Sequence, residues 1–478
     1  MDTIGIIFVF YLFFLIFVGI WTFKLNKTPE DYLLAGRKLG PWVAAFSERA
    51  SGESAWLLLA LPGAAIAVGL GEVWTVIGIT VGIIASWYLI AEKLREETEK
   101  YQALTIPEYL HRRFEDKSNI IRLFSALIIT FFFAFYVSAQ FHASGKVLKT
   151  MFGIDAITGI SIGAVVIVSY TLMGGFFAVA WTDLLQGFLM IGTLIILPIA
   201  GFIELQSSHV SLNQSLALAS ATHSSFTMGK EGLAGLAVIL GGLSWGLGYL
   251  GQPHIIIRYM AIRSTKDVKR ARTIAILWAI PGITGSFLIG LAALNYFGPD
   301  YFVNIDVEQA MPLLAKELLP AMVAGLFISG AVAAIMSTAD SQLLVSTSAI
   351  TEDFIHQFLG MEMTNKKLVT LSRITIVILG LFAYVIAVMS ETQGNNIFSV
   401  VSYAWSGLGS AFGPALVLTL WWKKTTRHGI IAGLLTGFFT TIIWANIDFL
   451  QAAVTERLVS FVFAFAAVII VSLMDRKN

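Results

Sequence analysis

Apolar residues along this chain come in long blocks separated by short charged segments, and about 20 such residues let a helix cross the hydrocarbon core of a bilayer. A window of about 19 residues picks out Ile4–Phe23, Pro41–Gly69, Val73–Ala91, Ile121–Leu148, Ile157–Leu172, Ala180–Leu205 and Leu233–Ala261. It also picks out Ile274–Phe297, Leu319–Ile350, Leu368–Val388, Ile397–Trp422, Ile430–Ala445 and Ala452–Leu473. Thirteen membrane helices are predicted, and an odd number puts the termini on opposite sides. Ile4–Phe23 has no basic residue before it and no small-residue cleavage site after it, so it reads as a retained span and not as a signal peptide.

Charge placement sets the orientation, because cytoplasmic loops collect Lys and Arg. With the N-terminus outside, the inner segments hold Lys24, Lys27, Arg37, Lys38, the cluster from Lys93 to Arg122 and the run from Arg258 to Arg272. Adding Lys366, Lys367, Arg373, Lys423, Lys424, Arg427, Arg476 and Lys477 accounts for most of the 31 basic residues. The expected topology is N-terminus outside and C-terminus cytoplasmic, in a multi-pass protein of the inner (plasma) membrane. Glu92–Asn119 is charged and holds an interfacial-looking stretch from Thr105 to Phe114, while Ser207–Lys230 reads as an outer loop.

Composition narrows the function. The chain is 57% hydrophobic and 13% charged, against about 25% charged in ordinary soluble domains, which excludes a soluble enzyme. A net charge of +1 points to no nucleic acid. With no cysteine, disulfides, thiolate nucleophiles and iron–sulfur clusters are excluded. There is no Walker-type phosphate loop, so ATP-driven pumping is not expected. Only Asp475–Asn478 follow the last span, so no output domain is expected. No organic cofactor and no enzymatic activity are expected either.

Two spans are broken by polar or glycine-rich sequence. The second contains the octet Ser47-Glu-Arg-Ala-Ser-Gly-Glu-Ser54, and the seventh contains Gly241-Gly-Leu-Ser-Trp-Gly-Leu-Gly-Tyr-Leu-Gly-Gln-Pro253. Each break lies near the start of a block of five spans, and five is odd, so the blocks are inverted relative to each other. Paired broken helices in inverted repeats point to the binding site of a secondary transporter. Glycine-rich packing helices would explain the glycines but not the octet. Ionisable residues within a membrane are functional by default, and Glu48, Arg49, Glu53, Asp183 and Asp340 stand out. Arg49 with Glu48 or Glu53 has a structural alternative, a buried ion pair. Ser337, Thr338, Asp340 and Ser341 recur at helical spacing, and such hard oxygens suit a small alkali cation. Trp56, Tyr136, Trp245 and Tyr249 sit in or near the breaks, with Trp245 the best candidate for a pocket wall.

The stretch Tyr170-Thr-Leu-Met-Gly-Gly-Phe-Phe-Ala-Val-Ala-Trp-Thr-Asp-Leu-Leu-Gln186 and the run Met336-Ser-Thr-Ala-Asp-Ser-Gln-Leu-Leu344 leading to Ser348-Ala-Ile-Thr-Glu-Asp353 resemble the sodium:solute symporter family. Ser244 to His254 and Ala404 to Pro414 resemble its proline-transporting branch. The resemblance implies an all-α integral membrane protein with a LeuT-like 5+5 inverted-repeat transporter fold in a single transporter domain, 1–478. Its parts would be an extra first helix (4–23), a first repeat (41–205), an inverted second repeat (233–422) and two C-terminal helices (430–473). The matching sodium ligands are Ala50, Ala334, Ser337 and Thr338, joined by Glu53 as an acidic residue displaced by one position from the family's, and a second sodium position, found in some members, matches Asp183, Ser337, Asp340 and Ser341. The substrate positions are Ser54, Ala55, Tyr136, Trp245, Tyr249 and Pro253. Where the proline branch carries an Asp-Met pair, this chain has Gly52-Glu53. Arg49 is expected to pair chiefly with Glu48, leaving Glu53 for the cation.

The implied function is a secondary active symporter that imports proline or a similar small amino acid with sodium in a lipid bilayer. The alternatives are another small solute, proton coupling or no cation, a transporter-like sensor and an ion channel.

Overall fold

The computed structural model describes residues 3–23, 34–173, 175–207 and 211–475. Lys24, Lys27, Gly174, Arg476 and Lys477, used in the sequence reading, lie outside the described residues. Among those described there is no strand, and a lone parallel bridge joins Leu39 to Ile262. Helices dominate because a bilayer core offers no water to satisfy an open backbone.

The first half comprises α1 (Thr3–Phe23), α2 (Pro41–Gly52), α3 (Leu61–Val68), α4 (Val73–Ser86), α5 (Glu92–Lys100), α6 (Ile106–Arg113), α7 (Ile120–Phe152), α8 (Ala156–Met173) and α9 (Phe176–Ser207). Proline opens α2, where its missing N–H costs nothing. Gly69 turns the corner between α3 and α4 at φ 66°, and a Cβ there would overlap the His223 backbone. That corner divides the 45-residue helical run Trp56–Lys100, which is far longer than one bilayer crossing. The interfacial-looking stretch folds as α6, with the Thr105 hydroxyl accepting from the Glu108 N–H at 3.1 Å as an N-cap.

The second half comprises α10 (Leu212–Ala219), α11 (Gly232–Leu243), α12 (Trp245–Gly248), α13 (Pro253–Ala261), α14 (Thr265–Phe297), α15 (Ala310–Leu318), α16 (Ala321–Ser348), α17 (Asn365–Thr392), α18 (Ile397–Trp421), α19 (Arg427–Ala445), α20 (Asp448–Ala453) and α21 (Glu456–Asp475). The expected outer loop at 207–230 contains a helix, α10, started by a reciprocal capping box between Ser211 and Gln214.

By length and apolar content, eight helical segments of the described chain can cross a membrane, or nine when the pair bent by 43° around Tyr249–Gln252 is one span. The difference from thirteen is local. α1 and α8 carry shorter apolar stretches, Thr3–Leu15 and Ala156–Leu172. α2 has only 12 residues and a polar second half, and α18 is diluted with glycine and serine. All four still pack into the bundle. In particular, α2 is enclosed by α9, α13, α14 and α16, so its polar residues face protein and not lipid.

Candidate functional site

The first break is narrower than the octet suggested. Ser47 to Gly52 stay helical, and the backbone departs only at Glu53 (φ −105°, ψ 63°) and Ser54. Polar residues persist in α2 because neighbouring helices satisfy them, so the helix has no need to unwind earlier. A helix end leaves carbonyls without N–H partners, and here α16 supplies them. The Ser337 hydroxyl donates to the Ala50 carbonyl at 2.9 Å and lies 3.2 Å from that of Ala334. The Thr338 hydroxyl donates to the Ser51 carbonyl at 3.0 Å. Ala50, Ala334, Ser337 and Thr338 are therefore brought together.

The second break lies between α12 and α13, at Tyr249–Gln252. It sits against α4 at a glycine contact: a Cβ on Gly82 or Gly246 would overlap the partner's backbone. Aromatic rings fill the space between the breaks. Trp245 stacks on Trp56 at 6.0 Å between ring centres and packs on Phe398 at 4.9 Å. Tyr249 meets Trp405 edge-on at 4.7 Å, and the Tyr136 hydroxyl lies 3.3 Å from that of Ser54. The Ala55 N–H, freed by the break, donates to Gln140 Oε1 at 3.1 Å. Pro253 opens α13 and lines a neighbouring small cavity with Ile129, Ile257, Val345 and Asp353.

Sequence reasoning gave no role to Trp405 or Gln140. Trp405 donates its indole N–H to the Trp245 carbonyl at 3.0 Å, and Gln140 faces the break from α7. The signal for Gln140 was its position one turn after Tyr136 in an apolar span.

Two buried charge clusters flank the first break. In one, Arg49 donates to Glu48 through Nε at 2.6 Å and through Nη2, and to Glu53 Oε1 through Nη1 at 2.7 Å. Glu48 also accepts from Trp87 at 3.2 Å and Tyr259 at 3.3 Å, whereas Glu53 Oε1 accepts from the Tyr249 hydroxyl at 3.0 Å. Glu53 Oε2 has no partner. Arg49 thus makes two bonds to Glu48 and one to Glu53, and the Glu53 carboxylate points to the aromatic side and not to Ser337 or Thr338.

The second cluster is built around Asp183, whose Oδ2 accepts from Ser47 at 2.6 Å and Ser51 at 3.0 Å. Ser341 donates to Asp340 at 3.3 Å. The cation among these oxygens is Arg258, which the sequence reading had assigned to an inner basic run. It is buried and bonds Asp183 at 3.1 Å. Its place inside the apolar stretch Leu233–Ala261 was the available signal.

Comparison with known proteins matches residues 32–437 to the sodium:solute symporter family. The chain belongs to that family. As a member it is a transporter and not an enzyme. It is 39% identical over 466 residues to a high-affinity proline transporter of Bacillus subtilis, covering 97% of this chain and 96% of that one. It is 37% identical over 471 residues to the sodium/proline symporter of Escherichia coli, covering 98% and 92%. Among solved structures, a substrate-bound, outward-open Na+-coupled sialic acid symporter superposes with TM-score 0.80 at 18% identity, covering 99% of this chain and 98% of that one. That likeness shows the fold.

Proposed function

We propose that this family member imports proline, or a closely similar small amino acid, with sodium. The observation that carries the reading is identity of more than a third over essentially the whole chain to transporters named for proline and for sodium. The thirteen-span arrangement belongs to the same proposal: an extra helix at 4–23, inverted repeats at 41–205 and 233–422, and a closing pair at 430–473. So do an outer N-terminus, a cytoplasmic C-terminus and residence in the inner membrane.

In this reading the sodium enters among Ala50, Glu53, Ala334, Ser337 and Thr338. The two hydroxyls exchange their carbonyl partners for the ion, replacing its hydration shell with hard oxygens. Glu53 contributes through the backbone at the break, since its carboxylate is held by Arg49 and Tyr249. The substrate lies among Ser54, Ala55, Tyr136, Trp245, Tyr249 and Pro253. Its carboxylate is met by the half-helix N-termini, its ammonium by the unpartnered Glu53 Oε2, and its ring by Trp245. Asp183, Ser337, Asp340 and Ser341 form a second cation-binding set.

Inward sodium movement gains about 2.3 kcal/mol per charge per 100 mV, which supplies the free energy for uphill uptake. The test is uptake of radiolabelled proline by proteoliposomes under an imposed sodium gradient, with potassium and proton gradients as controls. Uptake driven by sodium alone is expected. Equal uptake under a proton gradient without sodium removes the reading.

A further inference from the structure

The second cation-binding set does not wait for an ion. Arg258 reaches it from the last turn of α13, fully buried. Its Nη2 donates to the Ser341 hydroxyl at 2.5 Å, the Ser51 hydroxyl at 2.7 Å and Asp183 Oδ2 at 3.1 Å. Nε donates to the Ser47 hydroxyl at 3.1 Å, and Nη1 to the His254 carbonyl. Three oxygens around one cationic nitrogen are what a small alkali ion would ask of the same residues.

We propose that the Arg258 guanidinium is the permanent, untransported occupant of the second cation position, so that proline moves with a single sodium. The inference rests on sodium-coupled proline import as proposed above. A guanidinium has only donors and keeps its charge, so once buried it must stay with its acceptors. Arg258 already bonds Asp183 and Ser341 of that set, with the neighbouring Ser51 hydroxyl, so a sodium ion there would meet a like charge at bonding distance. The leftover Asp183 Oδ1 and Asp340 Oδ2 are unpartnered, but the hydroxyls that would complete an ion's shell are taken. The first sodium set shares no hydrogen bond with Arg258.

The decisive measurement is the ratio of radiolabelled sodium to radiolabelled proline entering voltage-clamped proteoliposomes. One sodium per proline is expected in the parent, and also in Arg258→Lys whatever its rate, because an ammonium fills the same oxygens. Arg258→Gln frees the set, so the ratio rises to two and the sodium titration steepens, its Hill coefficient climbing from about one towards about two. A ratio of two in the parent or in Arg258→Lys overturns the inference, as does an unchanged ratio and titration in a folded Arg258→Gln. If Arg258→Gln does not fold, the parent and Arg258→Lys decide between them. Absence of any sodium-driven uptake in the parent instead defeats the functional reading on which the inference rests.

Discussion

Thr338→Val deletes one hydroxyl and keeps the branched shape, which makes it the sharpest probe of the proposed sodium site. Thr338 is buried, and its hydroxyl donates to the Ser51 carbonyl at 3.0 Å. Valine leaves that carbonyl without its donor in the sodium-free protein, a cost of about 1–3 kcal/mol for a stranded buried group. In the sodium-bound protein the same change removes one ligand. Affinity reports the difference between the two costs, and a lost ligand that outweighs the lost hydrogen bond by about 1.4 kcal/mol raises half-saturating sodium about tenfold. The assay is the initial rate of proline uptake against sodium at saturating proline, followed by proline titration at saturating sodium. The sodium constant should rise about tenfold in Thr338→Val and recover in Thr338→Ser, while the proline constant at saturating sodium stays near the parent's. Overlaid sodium curves for parent and valine variant, or a shift confined to proline, would refute the reasoning.

Trp245→Ala should raise the apparent proline constant at least about tenfold, because the indole leaves the Trp56 stack while Trp405 still holds the backbone carbonyl. An unchanged constant in a normally expressed variant removes Trp245 from the pocket. Glu53→Gln should strongly impair sodium-driven uptake, whereas Glu48→Gln, at a carboxylate fixed by Arg49, Trp87 and Tyr259, should chiefly lower thermal stability, by about 3–5 kcal/mol. Uptake kinetics with melting curves on both variants check the split, and the opposite assignment sinks it. Outside the spans, burial pushes the Asp116 carboxyl up, but the Ile121 N–H, the Ser118 hydroxyl and Arg427 outweigh it and hold it below its ordinary range. Its contribution is full above the unfolded value near pH 4 and is lost as pH falls through the lower folded value. Asp116→Asn should therefore flatten the acid limb of stability, measured by melting against pH.

What the sequence made legible was whatever a one-dimensional pattern can carry. The broken stretches at Ser47–Ser54 and Gly241–Pro253 stood out because glycine and polar residues inside apolar blocks violate the local rule, and such violations mark function. Helical spacing marked Ser337, Thr338, Asp340 and Ser341 as one polar cluster, and the family resemblance set Ser337 and Thr338 opposite Ala50. The exact end of α2 was not legible, because Glu48 and Ser51 are satisfied within the helix by partners on other helices. Trp87 and Tyr259, distant in sequence, hold Glu48, and Asp183 and Arg258 hold Ser51. Arg258 was misplaced for a related reason. A count of basic residues treats every arginine as a loop charge, although this one stands inside the apolar stretch Leu233–Ala261, and the fold shows which carboxylate it meets.

These placements bear on coupling. Ions and solute influence each other only through a shared element whose states they bind unequally, and the end of α2 is such an element. Its last carbonyls are held by Ser337 and Thr338, the Ser51 hydroxyl belongs to the Arg258 cluster, and Glu53, at the break, is tied to Tyr249 in the aromatic cluster. In the proposed function, a sodium that takes the hydroxyls releases the Ala50 and Ser51 carbonyls from α16, while a substrate at Tyr249 acts on the neighbouring residue. Neither event can leave the other's ligands untouched, since Ala50, Glu53 and Ser54 lie within five consecutive positions. Arg258 adds a fixed constraint, because its bonds join α13 to α2, α9 and α16. A free ion in its place would dissolve that joint whenever it left. On the proposal above, the tethered guanidinium ties the second broken span to the first, leaving one departing cation to reset the site.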